Sequence, residues 1–225
     1  MVKQAAENES PPVESAVLAS LGRVRHGFGI PPHTPLAPWR PRQVHGTSIQ
    51  YVAHAGQPDS PADAVLTDQP HLPVGIVTAD CVPLLLAHPD DPRVMAVHAG
   101  WRGLAAGFLN RIATHLGAVG GWRVGIGPAA DACCYEVGPE VIAALGIPPG
   151  DVRLTQAGHG RISLRRWASS RLVELGFAPE AIELVGGCTI CSSRWPSYRR
   201  DGDRAGRLVS WIARCEPCPH PGASP

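Results

Sequence analysis

The apolar positions fall into short runs of two periodicities, separated by glycine, proline and other turn-forming residues. Alternation or continuous hydrophobicity marks strands over 47–53, 62–68, 74–78, 94–98, 122–126, 182–185 and 208–212. Recurrence near four residues marks helices. Leu104, Phe108, Ile112 and Leu116 form one stripe that stops at Gly117. Pro139 starts a second helix that ends at Gly146, and Leu164, Ala168, Leu172 and Leu175 mark a third, stopped by Gly176. Residues 17–21 fit a strand or one helical turn. Between Gly29 and Arg42 the prolines at 31, 32, 35, 38 and 41 exclude a regular element.

Strands alternating with helices predict an α/β fold, a single domain with a mixed sheet core flanked by helices. We expect a loose leader over 1–16, one catalytic domain over 17–215 and an irregular tail over 216–225, where Pro217, Pro219, Pro221 and Pro225 crowd together.

Composition narrows the partners. A formal charge of +1 gives no global attraction to nucleic acid or to a membrane surface. No apolar run reaches the roughly 18 residues of a spanning helix, and residues 1–12 are polar rather than signal-like, so a cytoplasmic protein is expected. Seven cysteines then read as thiols or metal ligands before disulfides. Lys3 is the only lysine, so arginine carries nearly all the positive charge and any single arginine is weak evidence for an anion site.

The chemistry concentrates between Thr78 and Gly103. Cys81 follows the 74–78 strand, and Asp80 and Pro83 around it mark an exit from regular structure. His98 closes the next strand, on the face that carries Val94 and Ala96. Ala99-Gly100 turns the chain into a helix whose N-terminus, bearing Arg102, should meet Cys81 and His98 at one end of the sheet. Asp80 is either a general base or the cap of its turn.

Four segments carry a family likeness: Gln43-Val44-His45-Gly46, Ala79-Asp80-Cys81-Val82-Pro83, Val97-His98-Ala99-Gly100-Trp101-Arg102-Gly103 and Cys134-Tyr135-Glu136-Val137-Gly138. In this order they resemble the family called polyphenol oxidase, laccase-domain or YfiH-type purine nucleoside phosphorylase, over roughly residues 24–213. The resemblance implies one Zn²⁺ held by His45, Cys81 and His98, and phosphorolysis of adenosine, inosine and methylthioadenosine, with adenosine deamination alongside. An older attribution within the family is copper-dependent phenol oxidation. Two imidazoles and a thiolate leave tetrahedral Zn²⁺ one open position and a formal charge of about +1, which acidifies bound water and attracts anionic oxygens. Arg102 is the nearest candidate for the phosphate. The segment Ser197-Tyr198-Arg199-Arg200-Asp201-Gly202, continuing to Arg207, resembles a further family motif: Arg200 and Arg207 join Arg102 as anion-binding candidates, against a solvated arginine loop. The chain departs from the family between 29 and 42, where a glycine-rich segment is replaced by the short proline-rich one.

Other readings compete. His₂Cys is also a copper ligand set, although Met95 points off the face of His98 and paired His-x-His segments are absent. Cys81 with His98 fits a cysteine hydrolase. Cys188-x-x-Cys191 with Cys215-x-x-Cys218 fits a structural zinc ribbon, and hence a non-enzymatic zinc-binding module, whereas Cys133 and Cys134 read as a buried pair of small side chains.

Overall fold

The computed structural model describes residues 11–30 and 37–215. In chain order these form α1 (Ala16–Ala19), β1 (Val24–Gly29), β2 (Ile49–Tyr51), β3 (Ala64–Thr67), β4 (Val74–Thr78), β5 (Val82–Ala87), β6 (Val94–Ala99), α2 (Trp101–Ala105) and α3 (Phe108–Leu116). There follow β7 (Arg123–Ile126), β8 (Glu136–Val137), α4 (Pro139–Leu145), β9 (Arg153–Leu154), β10 (Gly160–Arg161), α5 (Leu164–Glu174), β11 (Ile182–Leu184), α6 (Tyr198–Asp201) and β12 (Leu208–Arg214).

A six-stranded mixed sheet, ordered β11-β7-β5-β6-β3-β2, is the middle layer. Only its two outer pairs, β11 with β7 and β2 with β3, are parallel. The central strands β5 and β6 are buried along their whole lengths, which explains their unbroken apolar runs. Alternate residues of β6 feed two cores. Met95, Val97 and Ala99 join the helices α2 to α5 on one face, and Val94 and Ala96 join β4, β12 and α1 on the other. The second face is covered by a three-stranded sheet ordered β1-β12-β4. The α/β single-domain expectation therefore holds, with an added sheet as the third layer.

Four local expectations are corrected. The helical stripe is two helices, because Gly107 adopts a left-handed conformation (φ 77) between α2 and α3, yet Leu104, Phe108, Ile112 and Leu116 all stay buried. Pro83 does not end regular structure. It is the second residue of β5, and its carbonyl accepts from Gly127 just beyond β7, so its missing N–H faces the end of that strand. Residues 11–16, assigned to a leader, are packed, since Val13 bridges Phe28 of β1 and Ser15 is buried. The pair Cys133 and Cys134 is not buried, Cys133 being exposed. Most of the proline-rich segment, residues 31–36, lies outside the described residues, as do 1–10 and the tail 216–225. Among the described residues no helix is long and apolar enough to cross a membrane.

The free edge of β4 is occupied by the segment before β2. Trp39 N–H donates to Pro73 O, and Gly75 N–H donates to Trp39 O. The Gln43 side-chain amide then imitates a strand: its Nε2 donates to Val77 O at 2.7 Å and its Oε1 accepts from Val77 N–H at 2.8 Å. That contact anchors the next two residues, Val44 and His45, beside β4.

Candidate metal centre and its pocket

Register explains why distant residues meet. In the antiparallel pair β5–β6, Pro83 faces His98, so Cys81 lies beside the turn at Gly100. In β3–β6, Ala64 faces Val97, and Asp63 O accepts from His98 N–H at 2.7 Å. Asp63 therefore stands just before β3, at the same sheet end. The site belongs to the end of an antiparallel hairpin rather than to the carboxyl ends of parallel strands, and the short helix α2 leaves anion binding to side chains rather than to a helix N-terminus.

His45, Cys81 and His98 have donor atoms all within 4.8 Å of one another. The two imidazoles meet edge to face with centroids 4.8 Å apart. Asp63, which the sequence reading passed over, orients both. It is fully buried. Its Oδ1 lies 2.8 Å from His98 Nδ1 and accepts from His45 N–H at 2.9 Å, while Oδ2 accepts from Gly46 N–H at 2.6 Å. The bond to Nδ1 reserves His98 Nε2 for the centre. It also holds the His45-Gly46 turn, where His45 takes a positive φ of 58. The signal available in the sequence was a carboxylate inside the apolar run Ala62-Asp63-Ala64-Val65, which burial obliges to find partners.

Electrostatics follow from these contacts. Burial opposes ionisation of the Cys81 thiol, but the His45 and His98 rings outweigh it and bring its pKa down to about 7. Burial likewise opposes a charge on His98, but Asp63 and Cys81 outweigh it and raise its pKa to about 9. Burial would raise Asp63, yet His98 and the Gly46 and His45 amides hold it below the usual carboxylate range. These contacts favour the ionised forms of Cys81, His98 and Asp63 together. A divalent cation fits this donor set, replacing the shared proton. The turn beside it is shaped for that: a Cβ on Gly100 would stand 3.2 Å from His45 Cδ2 and 3.3 Å from Cys81 Sγ.

The centre forms the floor of a cavity of about 510 Å³ whose walls include Thr78, Trp101, Arg102, Tyr135, Tyr198, Arg199 and Arg207. That volume suits a small organic substrate. A larger cavity of about 880 Å³ runs along α5 but is lined by none of the His or Cys residues of the centre. In the smaller one, Arg102 stacks on Trp101 at 4.6 Å and Arg199 on Tyr135 at 4.9 Å. Arg207 donates to the carbonyls of Ala205 and Gly206. None of these three forms an ion pair among the described residues. The Thr78 hydroxyl is buried and finds no hydrogen-bond partner among them either.

Two sequence candidates are placed differently from expectation. Arg200 does not line the cavity; its guanidinium donates to the carbonyls of Thr189, Ile190, Ser192 and Trp195 and pairs with Asp201. Its neighbour Arg199 takes the pocket position. Asp80 does line the cavity, at a positive φ of 86, but Oδ1 accepts from Thr189 Oγ1 at 2.5 Å and Oδ2 from Arg199 N–H at 2.7 Å. Neither bond caps the turn of Asp80 itself; they tie that turn to the Thr189 loop and to the start of α6.

Residues 11–215 match a family model described as multi-copper polyphenol oxidoreductase laccase. A protein of Xylella fastidiosa named purine nucleoside phosphorylase is 36% identical over 193 residues, covering 79% of this chain and 73% of the relative. One of the same name from Aquifex aeolicus is 34% identical over 176 residues, covering 76% and 81%. Among solved structures, Bacillus licheniformis hypothetical protein YfiH superposes with a TM-score of 0.78 at 25% identity, covering 92% of this chain and 98% of that one. Neisseria meningitidis protein NMB0706 gives 0.72 at 30% identity, covering 80% and 76%.

Proposed function

Because the chain belongs to the multi-copper polyphenol oxidoreductase laccase family, whose relatives above carry the name purine nucleoside phosphorylase, we propose that it cleaves purine nucleosides with inorganic phosphate. The substrates are adenosine, inosine and methylthioadenosine, and the cofactor is one Zn²⁺ held by His45, Cys81 and His98. The single observation that carries this reading is a set of three guanidiniums, Arg102, Arg199 and Arg207, that have no carboxylate partner among the described residues and gather in one cavity with that donor trio.

Phosphorolysis joins a phosphate oxygen to C1′ of the ribose as the bond from C1′ to the base breaks, and the base leaves with the electron pair and takes up a proton. The arginines bind and orient the phosphate, since charge-assisted bonds to its oxygens are the strong ones available. Trp101, Tyr135 and Tyr198 offer flat faces to a purine. The unpartnered Thr78 hydroxyl is set to bond a ribose hydroxyl or a phosphate oxygen. Zinc supplies a Lewis acid beside these groups. Asp80 acts as a positioning residue through Thr189 and Arg199. Both its oxygens are engaged, and among the described residues the cavity lining offers no other carboxylate to deprotonate water, which favours phosphorolysis as the main reaction over deamination.

Incubating the purified protein with adenosine, with and without phosphate, tests this. Adenine and ribose 1-phosphate should form only when phosphate is present. Inosine formed without phosphate would add the deamination that accompanies phosphorolysis in the family resemblance; no product, or inosine alone whether or not phosphate is present, overturns the assignment. A second reading has one specific observation in its favour: Asp63, His98 and Cys81 stand in line, as in a cysteine hydrolase. It leaves the second imidazole, His45, without a role. Iodoacetamide inactivation at the same rate with and without zinc would support it. Copper oxidation of phenols needs further histidine-bound centres, and the other His/Cys group among the described residues is all thiol.

A further inference from the structure

The loops that follow β7 and β11 meet through sulfur. Those strands are parallel neighbours, and beyond them Ala129 bridges Cys188 while Thr189 N–H donates to Ala129 O. This brings the pair Cys188 and Cys191 onto Cys133 and Cys134 rather than onto Cys215, which ends β12 outside the group; Cys218 lies outside the described residues. We propose that Cys133, Cys134, Cys188 and Cys191 form a second metal site, a closed tetrathiolate that takes one Zn²⁺ and holds the wall of the nucleoside pocket in place.

The spacing suits one ion. All four sulfurs lie within 4.8 Å of one another, and Cys133 Sγ is 3.5 Å from Cys191 Sγ. A tetrahedron of sulfurs with zinc bonds of about 2.3 Å has edges of about 3.8 Å. Sulfurs this close leave no room for a cluster of several irons, so the group takes a single tetrahedral ion, zinc in this proposal rather than a lone iron. The surroundings complete the site. Cys188 receives backbone hydrogen bonds from Ile190 and Cys191, the arrangement that stabilises a thiolate ligand. Zinc with four thiolates carries a formal charge of about −2. The buried guanidinium of Arg165, bonded to Val185 O at 2.7 Å and to Asp131 at 3.4 Å, lies close enough to Cys188 to offset part of it.

Four protein ligands leave no open position, so the ion is structural. Its effect reaches the pocket through the chain. Tyr135 follows Cys134, and Thr189, between the other two ligands, donates to Asp80. A tie across these loops fixes the aromatic wall and the Asp80 contact together.

Metal analysis of the full chain, purified under reducing conditions with zinc, should find two equivalents per chain. Cys81→Ala should keep one, and Cys191→Ser should keep the other while its unfolding midpoint falls. Cobalt bound to Cys81→Ala should show the intense thiolate charge-transfer absorption of four sulfur ligands. Should Cys191→Ser fail to fold, the wild type and Cys81→Ala decide alone. One equivalent in the wild type that Cys81→Ala abolishes would overturn the proposal, as would a disulfide among these cysteines in the reduced preparation or iron with labile sulfide. None of these outcomes depends on whether nucleosides are cleaved.

Discussion

Replacing Asp63 by asparagine tests the centre without touching a ligand. Three close donors converge on the carboxylate: His98 Nδ1–H and His45 N–H on one oxygen, Gly46 N–H on the other. Asparagine offers one acceptor and one NH₂. With its oxygen kept toward the histidines, the NH₂ meets Gly46 N–H, donor against donor. An orphaned buried donor costs ~1–3 kcal/mol, and turning the charge-assisted bond to His98 into a neutral one costs about another 1 kcal/mol. The metal-free variant should thus lose about 2–4 kcal/mol in urea denaturation, out of a total of ~5–15 kcal/mol. Zinc affinity, read by competition with a chromophoric chelator, should fall about 10–100-fold, the usual effect of removing such a partner. The pH dependence has a definite sign. A carboxyl group whose folded pKa is lowered contributes stability above its unfolded pKa of about 3.9, and loses it as pH falls through the folded value. The gap between wild type and variant should therefore be widest between about pH 4 and 6.5, close below about pH 4, and narrow above about pH 6.5 as His98, whose pKa Asp63 helps raise to about 9, gives up its proton. A variant with unchanged zinc affinity and urea midpoint would refute the role assigned to Asp63.

Arg102→Ala should raise the KM for phosphate by about 10–100-fold with little change in melting temperature, whereas Arg200→Ala, which frees four carbonyls, should lower the melting temperature; the reverse pattern would return Arg200 to the pocket. Thr78→Val removes a buried hydroxyl that no group among the described residues satisfies, so it should leave stability unchanged or improved while raising a substrate KM about 2–10-fold, measured by initial rates. Gly103→Ala puts a Cβ 2.7 Å from Gly46 O and should cost ~1–3 kcal/mol in thermal unfolding together with zinc affinity, since the His45 turn must yield; a stabilised variant would contradict that packing. His26 accepts at Nε2 from Ser15 N–H, and burial lowers its pKa. Stability that is complete above about pH 6.5 should therefore fall on acidification by up to ~1.4 kcal/mol per pH unit, a slope that His26→Gln should flatten in denaturation at pH 5 to 7.

The strand and helix pattern was legible where the apolar run was unbroken, as for β4 and β6, or recurred near four residues, as for α4 and α5. It failed where polar residues interrupt a strand. β1 reads Val-Arg-His-Gly-Phe-Gly and is a strand because β12 pairs along its whole length, a long-range contact that no local period reports. It failed also at Gly107, because a single left-handed residue breaks the helix while leaving a four-residue stripe intact. At the site, His45, Cys81 and His98 could be read from three short motifs, but Asp63 acts from behind them. Likewise, which of Arg199 and Arg200 faces the cavity depends on the one-turn helix α6, which turns neighbours to different sides. The four thiols were hidden by distance along the chain: the parallel neighbours β7 and β11 bring their loops together, and Cys215 gave a nearer but wrong partner.

The amide of Gln43 on Val77 has a meaning beyond placing His45. An outermost strand with open peptide groups invites a second molecule to continue the ladder, the first step of aggregation. Here a side chain takes the place that a foreign backbone would seek, and the same residue that steadies the turn of a metal ligand also guards the chain's solubility. Weakening that latch, by Gln43→Ala for example, would join two failures usually thought separate: a slacker centre and a stickier protein.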